Sequence, residues 1–212
     1  MNKVRSRARK RERGTAVIEF AFCFLLFWIP LFVGMITIGF NLIQAVQVTQ
    51  VCRDAGHMYA SGIDFSQPTY QNLLVSLATG LNMGVSSGNG VVILSTVTYI
   101  NSSACTAGGY TADSTNCPNL NYIVFTRRLV VGNSSVHASN LGNPNSADLD
   151  ASGNVSVAGY LTHTSNRVNN FSNIIPLTAG QFAYVSEMFE TSPSGTWATF
   201  LGTPTISARS IF

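Results

Sequence analysis

One uninterrupted apolar stretch, residues 20–40, limits what this chain can fold into. No charged residue occurs between Glu19 and Arg53, and Thr37 carries the only hydroxyl group within the stretch. A helix of this length, rising 1.5 Å per residue, would be about 31 Å long, which matches a hydrocarbon core of about 30 Å. The stretch therefore predicts a membrane-spanning helix.

Positive charge is concentrated before this stretch. Residues 1–13 hold seven of the twelve basic residues, whereas five basic and seven acidic residues lie beyond position 50. A basic tail beside a soluble domain would suggest nucleic-acid binding, but beside a membrane span it follows the positive-inside rule. We therefore expect a cytoplasmic N-terminus, an exported C-terminal region and no nucleic-acid partner. The seven residues are Lys3, Arg5, Arg7, Arg9, Lys10, Arg11 and Arg13.

A removable secretory signal peptide is the less favoured interpretation of this region. Such peptides have an apolar core of about 7–15 residues that ends at a site of small residues. The apolar run here is longer and continues into residues 41–44 without such a site. The pattern thus favours a retained anchor.

Glu19 is an unusual residue at the edge of such a span. A carboxylate costs roughly 2.5–3.5 kcal/mol at the centre of a membrane helix, so we expect a compensating partner. Gly14 and four uncharged residues precede Glu19, and the apolar run follows it. A plain single-pass anchor in which Glu19 has no special role is the alternative.

The segment Arg13-Gly14-Thr15-Ala16-Val17-Ile18-Glu19-Phe20 resembles the processing site of type IV prepilins. It is more similar still to the TadE-like minor pilins, or pseudopilins, of the tight-adherence (Flp-type) pilus system. Residues 51–57 and the closing segments 183–189 and 206–212 carry the same resemblance, which covers about residues 1–62 and 180–212. The region between them departs from the shortest family members, and its Asn/Ser-rich part is consistent with a specialised variant or a TadF- or TadG-like relative.

The resemblance implies a structural role rather than catalysis. It implies cleavage between Gly14 and Thr15 by a prepilin peptidase, and assembly, priming or tip formation of an adherence filament. Other pilins and the inner-membrane assembly platform would be partners, and the bacterial inner membrane or the pilus would be the location. The Glu19 carboxylate would pair with the new amino group at Thr15 of a neighbouring subunit.

Two other classes of function remain as alternatives. The first is an exported binding or assembly protein that stays anchored in the membrane and never polymerises. The second is an anchored hydrolase, although the sequence contains no nucleophile elbow, zinc-protease motif or phosphate-binding loop. We therefore expect no enzymatic activity and no cofactor.

The pattern beyond the span predicts an α+β domain with a mostly antiparallel sheet. Alternating apolar and polar faces continue the first helix to Gly62, and leucines at helical spacing predict a second helix over 67–81. Stretches rich in β-branched and aromatic residues predict strands at 91–100, 122–131, 180–189 and 204–212. The predicted organisation is a leader over 1–14, a helix over 15–62 and an exported domain over 63–212.

The polar region 132–173 is predicted to form loops displayed to solvent. Within it, Asp148, Asp150 and Ser152 have the D-x-D-x-S-G spacing that opens a calcium loop. Gly159 stands at the twelfth position, where such a loop needs a bidentate glutamate. An Asp/Ser/Gly turn explains the same residues, so calcium is the less favoured interpretation.

The four cysteines fall into two groups. Cys105 and Cys117 flank a short polar segment in the region predicted to be exported, where an oxidising environment favours a disulfide. A zinc site would need two further ligands close by in sequence, and none is present. Cys23 and Cys52 are predicted to be buried free thiols.

Overall fold

The structure is a computed structural model that describes residues 5–191 and 205–212, with side chains described from residue 16 onward. Its helices are α1 (Arg5–Ala60), α2 (Pro68–Leu77), α3 (Ser102–Ala107) and α4 (Val157–Thr162). Its strands are β1 (Gly90–Tyr99), β2 (Ile123–Gly132), β3 (Phe182–Thr191) and β4 (Thr205–Ile211). Three single 3-10 turns lie at Ser146–Asp148, Thr164–Asn166 and Phe171–Asn173.

The chain divides into two compact units, Met1–Ile43 and Gln44–Phe212. The first unit contains the N-terminal part of α1. The second contains the C-terminal part of α1 and every other element. This mixture of helices and one antiparallel sheet confirms the α+β prediction and the long apolar helix at the N-terminus.

The four strands form a single antiparallel sheet in the order β2-β1-β3-β4. Each lies within about two residues of its predicted position, because its β-branched and aromatic side chains suit a pleated sheet surface. The pairing of β1 with β2 shifts between Thr96 and Val97, which leaves Thr126 as an extra residue in β2. Most residues of the two central strands are buried.

The C-terminal part of α1 packs on one face of this sheet. The predicted apolar face of the helix is buried as expected. The hydroxyl groups of Tyr59 and Thr96 also form a hydrogen bond of 2.7 Å. Helix α2 closes the same core through Leu74. The helix residues of this core are Val48, Val51, Cys52, Ala55 and Tyr59, and its strand residues are Val92, Leu94, Leu129, Val131 and Met188.

Residues 133–173 cover the opposite face of the sheet. The expectation that this polar region is displayed to solvent is wrong for its few large apolar residues. Leu141, Val155 and Phe171 are buried in a second core with Phe125 and Val185 of the sheet. Spacing of about 15 residues between these anchors leaves no periodic pattern in the sequence, so their burial could not be recognised there.

Two helix ends also differ in length from expectation. Helix α1 ends at Ala60, and Gly62 follows with a φ of 90°, a left-handed conformation that glycine adopts without strain. Helix α2 ends at Leu77 rather than at Leu81, although Leu81 is buried in the same core. The leucine spacing correctly indicated a buried surface, but this surface extends beyond the C-terminal end of the helix.

The two leucines in the middle of α2 provide a matched test of this packing. Leu74→Ala should lower the free energy of unfolding by about 2–5 kcal/mol, because its side chain is fully buried. Leu73→Ala should change it by less than about 1 kcal/mol, because that side chain is 42% exposed. Urea unfolding of both variants, followed by circular dichroism, measures the difference. Equal losses would contradict the packing described for α2.

Candidate membrane and assembly segment

The N-terminal part of α1 is an apolar helix whose described side chains are not buried. None of the side chains of residues 16–43 is buried, and large apolar groups such as Phe20 and Leu26 are 72% and 81% exposed. Within the described residues, Ala16–Ala60 is the one stretch that meets the criteria for a membrane span. Its most apolar 18-residue window has a mean hydropathy of 2.4. A signal sequence near an N-terminus meets the same criteria.

Glu19 lies at the start of this apolar surface. It is exposed, and no hydrogen bond or ion pair joins it to another residue whose side chain is described. The nearest charged side chain that follows it along the helix is that of Arg53. The carboxylate is therefore available to a partner outside the described part of the chain.

The predicted cleavage site lies within the helix. The backbone at Gly14 and Thr15 belongs to α1, as does the backbone of Arg5, Arg7, Arg9, Lys10, Arg11 and Arg13. The side chains of these residues, and Lys3 altogether, lie outside the described residues. Processing at Gly14 and the role of the basic residues remain predictions.

An aromatic row on this segment was missed by the sequence reasoning. Phe20, Phe24, Trp28 and Phe32 follow one another at intervals of four residues, with ring centroids 6.2, 5.5 and 5.4 Å apart. Side chains four apart lie on the same face of a helix, so the spacing itself could have revealed the row. It gives the apolar segment one distinctly bulky face.

The C-terminal part of α1 contacts the end of the chain. The ring of His57 meets the ring of Phe212 edge-on with centroids 6.0 Å apart, and a Cβ added at Gly56 would lie 2.5 Å from the Phe212 ring. Cys52 donates a hydrogen bond to the backbone oxygen of Ser186 at 3.3 Å. The glycine thus permits a close approach between α1 and the β3–β4 edge of the sheet, and His57 serves packing.

A disulfide joins Cys105 to Cys117. Cys105 lies in α3, and the N-cap of that helix is Asn101, whose side chain accepts a hydrogen bond from the backbone N–H of Ala104. Both cysteines are fully buried in a small core with Ile100, Val124 and Leu161. The bridge fixes the segment between β1 and β2 against the end of the sheet.

The two free cysteines differ. Cys52 is buried, and burial raises the pKa of its thiol, which makes it unreactive at neutral pH. Cys23 is exposed, so the expectation that it is buried is wrong for the single chain. None of the side chains of residues 16–43 is buried in the isolated chain.

The calcium-loop candidates are engaged with other groups of the protein. Asp148 accepts hydrogen bonds from His163 at 2.7 Å and from Asn166 at 2.8 Å, and these bonds lower the pKa of its carboxyl group. Asp150 accepts hydrogen bonds from Asn154 and from the backbone N–H of Ser152. The residues with described side chains contain no group of three metal-ligating side chains. The geometry is that of an Asx turn beside an Asp–His pair.

Comparison with models of known families, with curated proteins and with solved structures finds no match for this chain.

The disulfide should contribute measurably to stability. Reduction should lower the free energy of unfolding by about 3 kcal/mol, because it removes a cross-link across a short loop. Urea unfolding with and without reductant measures the loss. A double variant with Cys105→Ser and Cys117→Ser is the control, since reductant should leave its transition unchanged. If the unfolding transition of the wild type were the same with and without reductant, a stabilising role for the bridge would be contradicted.

Proposed function

We propose that this chain is a TadE-like minor pilin, or pseudopilin, that is processed after Gly14 and takes part in building a tight-adherence pilus. The observation that carries the proposal is the helix α1. Its residues 16–43 expose an apolar surface with a single charge, Glu19, whereas its residues 44–60 are part of a folded α+β unit. One continuous helix thus combines a lipid-compatible segment with a protein-packed segment.

The dimensions of the apolar segment support membrane insertion. Residues 20–40 form a helix about 31 Å long, close to the thickness of the hydrocarbon core. Exposed apolar side chains all around a helix are unfavourable in water, at about 25 cal/mol for each Å². Either lipid or the apolar helices of other subunits would remove this cost. By the positive-inside rule, the basic residues of 1–13 would keep the N-terminus in the cytoplasm, which supports an exported α+β unit outside the inner membrane.

A minor pilin would move from the membrane into the filament, and Glu19 could guide this step. Cleavage between Gly14 and Thr15 would create a new ammonium group, and Glu19 has no described partner of its own. In a bundle of apolar helices the local dielectric is low, so a carboxylate and an ammonium group from neighbouring subunits attract strongly. Each group left alone would carry the desolvation penalty of an isolated charge. The pair therefore favours subunits in the correct axial register.

The folded unit supports a structural role. It has apolar cores on both faces of its sheet, and a disulfide closes the segment between β1 and β2. The proposed partners are a prepilin peptidase, other pilins and an inner-membrane assembly platform. These partners are inferred from the sequence resemblance. The exposed apolar surface of α1 gives a physical reason why such subunits would assemble.

The first test concerns the cleavage site. N-terminal sequencing of the membrane-extracted protein, produced together with a prepilin peptidase, should begin at Thr15. Gly14→Leu should keep the leader, because a bulky side chain would occupy the position before the cut. The retained leader holds seven basic residues, and moving them through hydrocarbon would be prohibitive, so this variant should stay in the membrane.

Gly34→Ala is the control for the cleavage test, because no atom lies within 4 Å of a Cβ added there. This variant should be processed like the wild type. A wild-type chain that keeps Met1, or a Gly14→Leu variant that is still shortened, would identify a permanent anchor and refute the pilin proposal.

The second test concerns Glu19. Glu19→Leu should leave cleavage after Gly14 intact, because the bond to be cut is five residues away, yet it should impair co-purification with sheared filaments. The reason is that the Thr15 ammonium of the neighbouring subunit would lose its partner. Asp54→Asn, an exposed acidic position on the same helix, is the matched control and should assemble normally. Wild-type assembly of Glu19→Leu would remove the role assigned to this glutamate without affecting the cleavage site.

A further inference from the structure

Four polar side chains are buried on the face of the sheet that residues 133–173 cover. Ser95 of β1, Arg128 of β2 and Glu187 of β3 come from adjacent strands, and Ser139 comes from the covering segment. Their exposed fractions are 0%, 6%, 1% and 9%, respectively. Arg209 of β4 approaches the same group from the edge of the sheet. Buried polar groups of this kind need partners for each donor and acceptor.

The carboxylate of Glu187 has its partners. Arg209 donates hydrogen bonds to its Oε1 from Nη2 at 2.7 Å and from Nε at 3.2 Å. The hydroxyl group of Ser139 donates to Oε2. Both oxygens are thus occupied, and the Glu187–Arg209 pair is neutral as a whole.

Arg128, in contrast, lacks hydrogen-bond partners in the described structure for part of its guanidinium group. Its Nη2 donates to the backbone oxygen of Gly142, and its guanidinium carbon lies 4.5 Å from the centre of the Phe125 ring. Its Nε and Nη1 are buried and have no hydrogen-bond partner among the residues described. The hydroxyl oxygen of Ser95, the direct cross-strand neighbour of Arg128, is also buried without a partner there.

The charges of this cluster do not balance. Arg128 and Arg209 contribute two positive charges, and Glu187 contributes one negative charge that Arg209 already neutralises. Burial lowers the pKa of Arg128 to about 10, and the charge of Glu187 only partly opposes that effect, so the guanidinium stays protonated at neutral pH. An uncompensated buried cation is strongly destabilising.

We propose that the Ser95–Arg128 pair binds a small monovalent anion of the size of chloride. The Nε and Nη1 groups of Arg128 and the Ser95 hydroxyl group supply three donors on neighbouring strands. A buried water would satisfy these donors but would leave the positive charge unbalanced. A halide would accept hydrogen bonds from these donors and would also balance the positive charge. It has no protons that would need acceptors of their own. The bound ion would be a structural element that holds the covering segment 133–173 on the sheet.

The test measures the thermal stability of the full-length chain in nonionic detergent as chloride replaces gluconate at constant ionic strength. We expect the melting temperature to rise by about 3–5 °C for each tenfold increase in chloride above its dissociation constant. Bromide should have a similar effect. An equal melting temperature in chloride and gluconate would overturn the proposal and assign the donors to buried water.

Two neighbouring arginines of β2 provide matched variants. Arg128→Met removes the charge at similar volume and should abolish the chloride dependence. Arg127→Met is the control, because Arg127 is paired with Asp64 and its side chain is 23% exposed. This variant should keep the wild-type response to chloride. Loss of the response in both variants would contradict a site at Arg128.

A direct measurement on the wild-type protein avoids the risk that Arg128→Met does not fold. Line broadening of the chloride NMR signal should report exchange with a protein site, and bromide should reverse it competitively. Ser95→Ala should weaken this broadening because it removes one of the three donors. Broadening that is unchanged in Ser95→Ala, or absent in the wild type, would overturn the site.

Discussion

The packing of the C-terminal part of α1 against the sheet is the interaction on which the folded unit depends. Five apolar residues of that part, from Val48 to Tyr59, fill the face formed by β1, β2 and β3. Helix α2 and the segment after it complete the same core. Complete burial of a large apolar side chain contributes about 1.5–3 kcal/mol, so this single helix face accounts for a large share of the stabilisation. The sheet would otherwise expose one of its two apolar faces.

The β2 edge of the sheet is bonded to the segment that covers one face of the sheet. Along β2, the backbone N–H of Arg128 donates to Gly153, and the N–H groups of Val155 and Val168 donate to Thr126 and Ile123. These bonds explain how an Asn- and Ser-rich segment without regular strands stays in place. Its polar side chains form local turns, and its few apolar residues supply the burial. The segment is therefore part of the fold, and the polar cluster beneath it is enclosed by its backbone.

The distribution of apolar residues around helix α1 changes along its length. Beyond Glu19, residues up to 43 are almost wholly apolar around the helix, a composition that suits lipid or the company of other apolar helices. Residues 44–60 have one apolar face and one polar face, which suits a helix that packs on a sheet and also contacts water. The change in periodicity coincides with the boundary between the two compact units at Ile43 and Gln44. On the proposed function, the first segment would exchange lipid for neighbouring helices while the second keeps the folded unit attached.

The sequence by itself determined the elements whose signals are local. Continuous apolarity identified residues 20–40, alternating faces identified the buried side of α1, and β-branched content located all four strands, because each pattern repeats over consecutive residues. Only the tertiary structure decided which residues meet across long separations. It buried Leu141, Val155 and Phe171, left Cys23 exposed, and set Ser95 beside Arg128 without a described partner. These outcomes depend on strand order, register and the path of the covering segment, and no local pattern in the sequence encodes them.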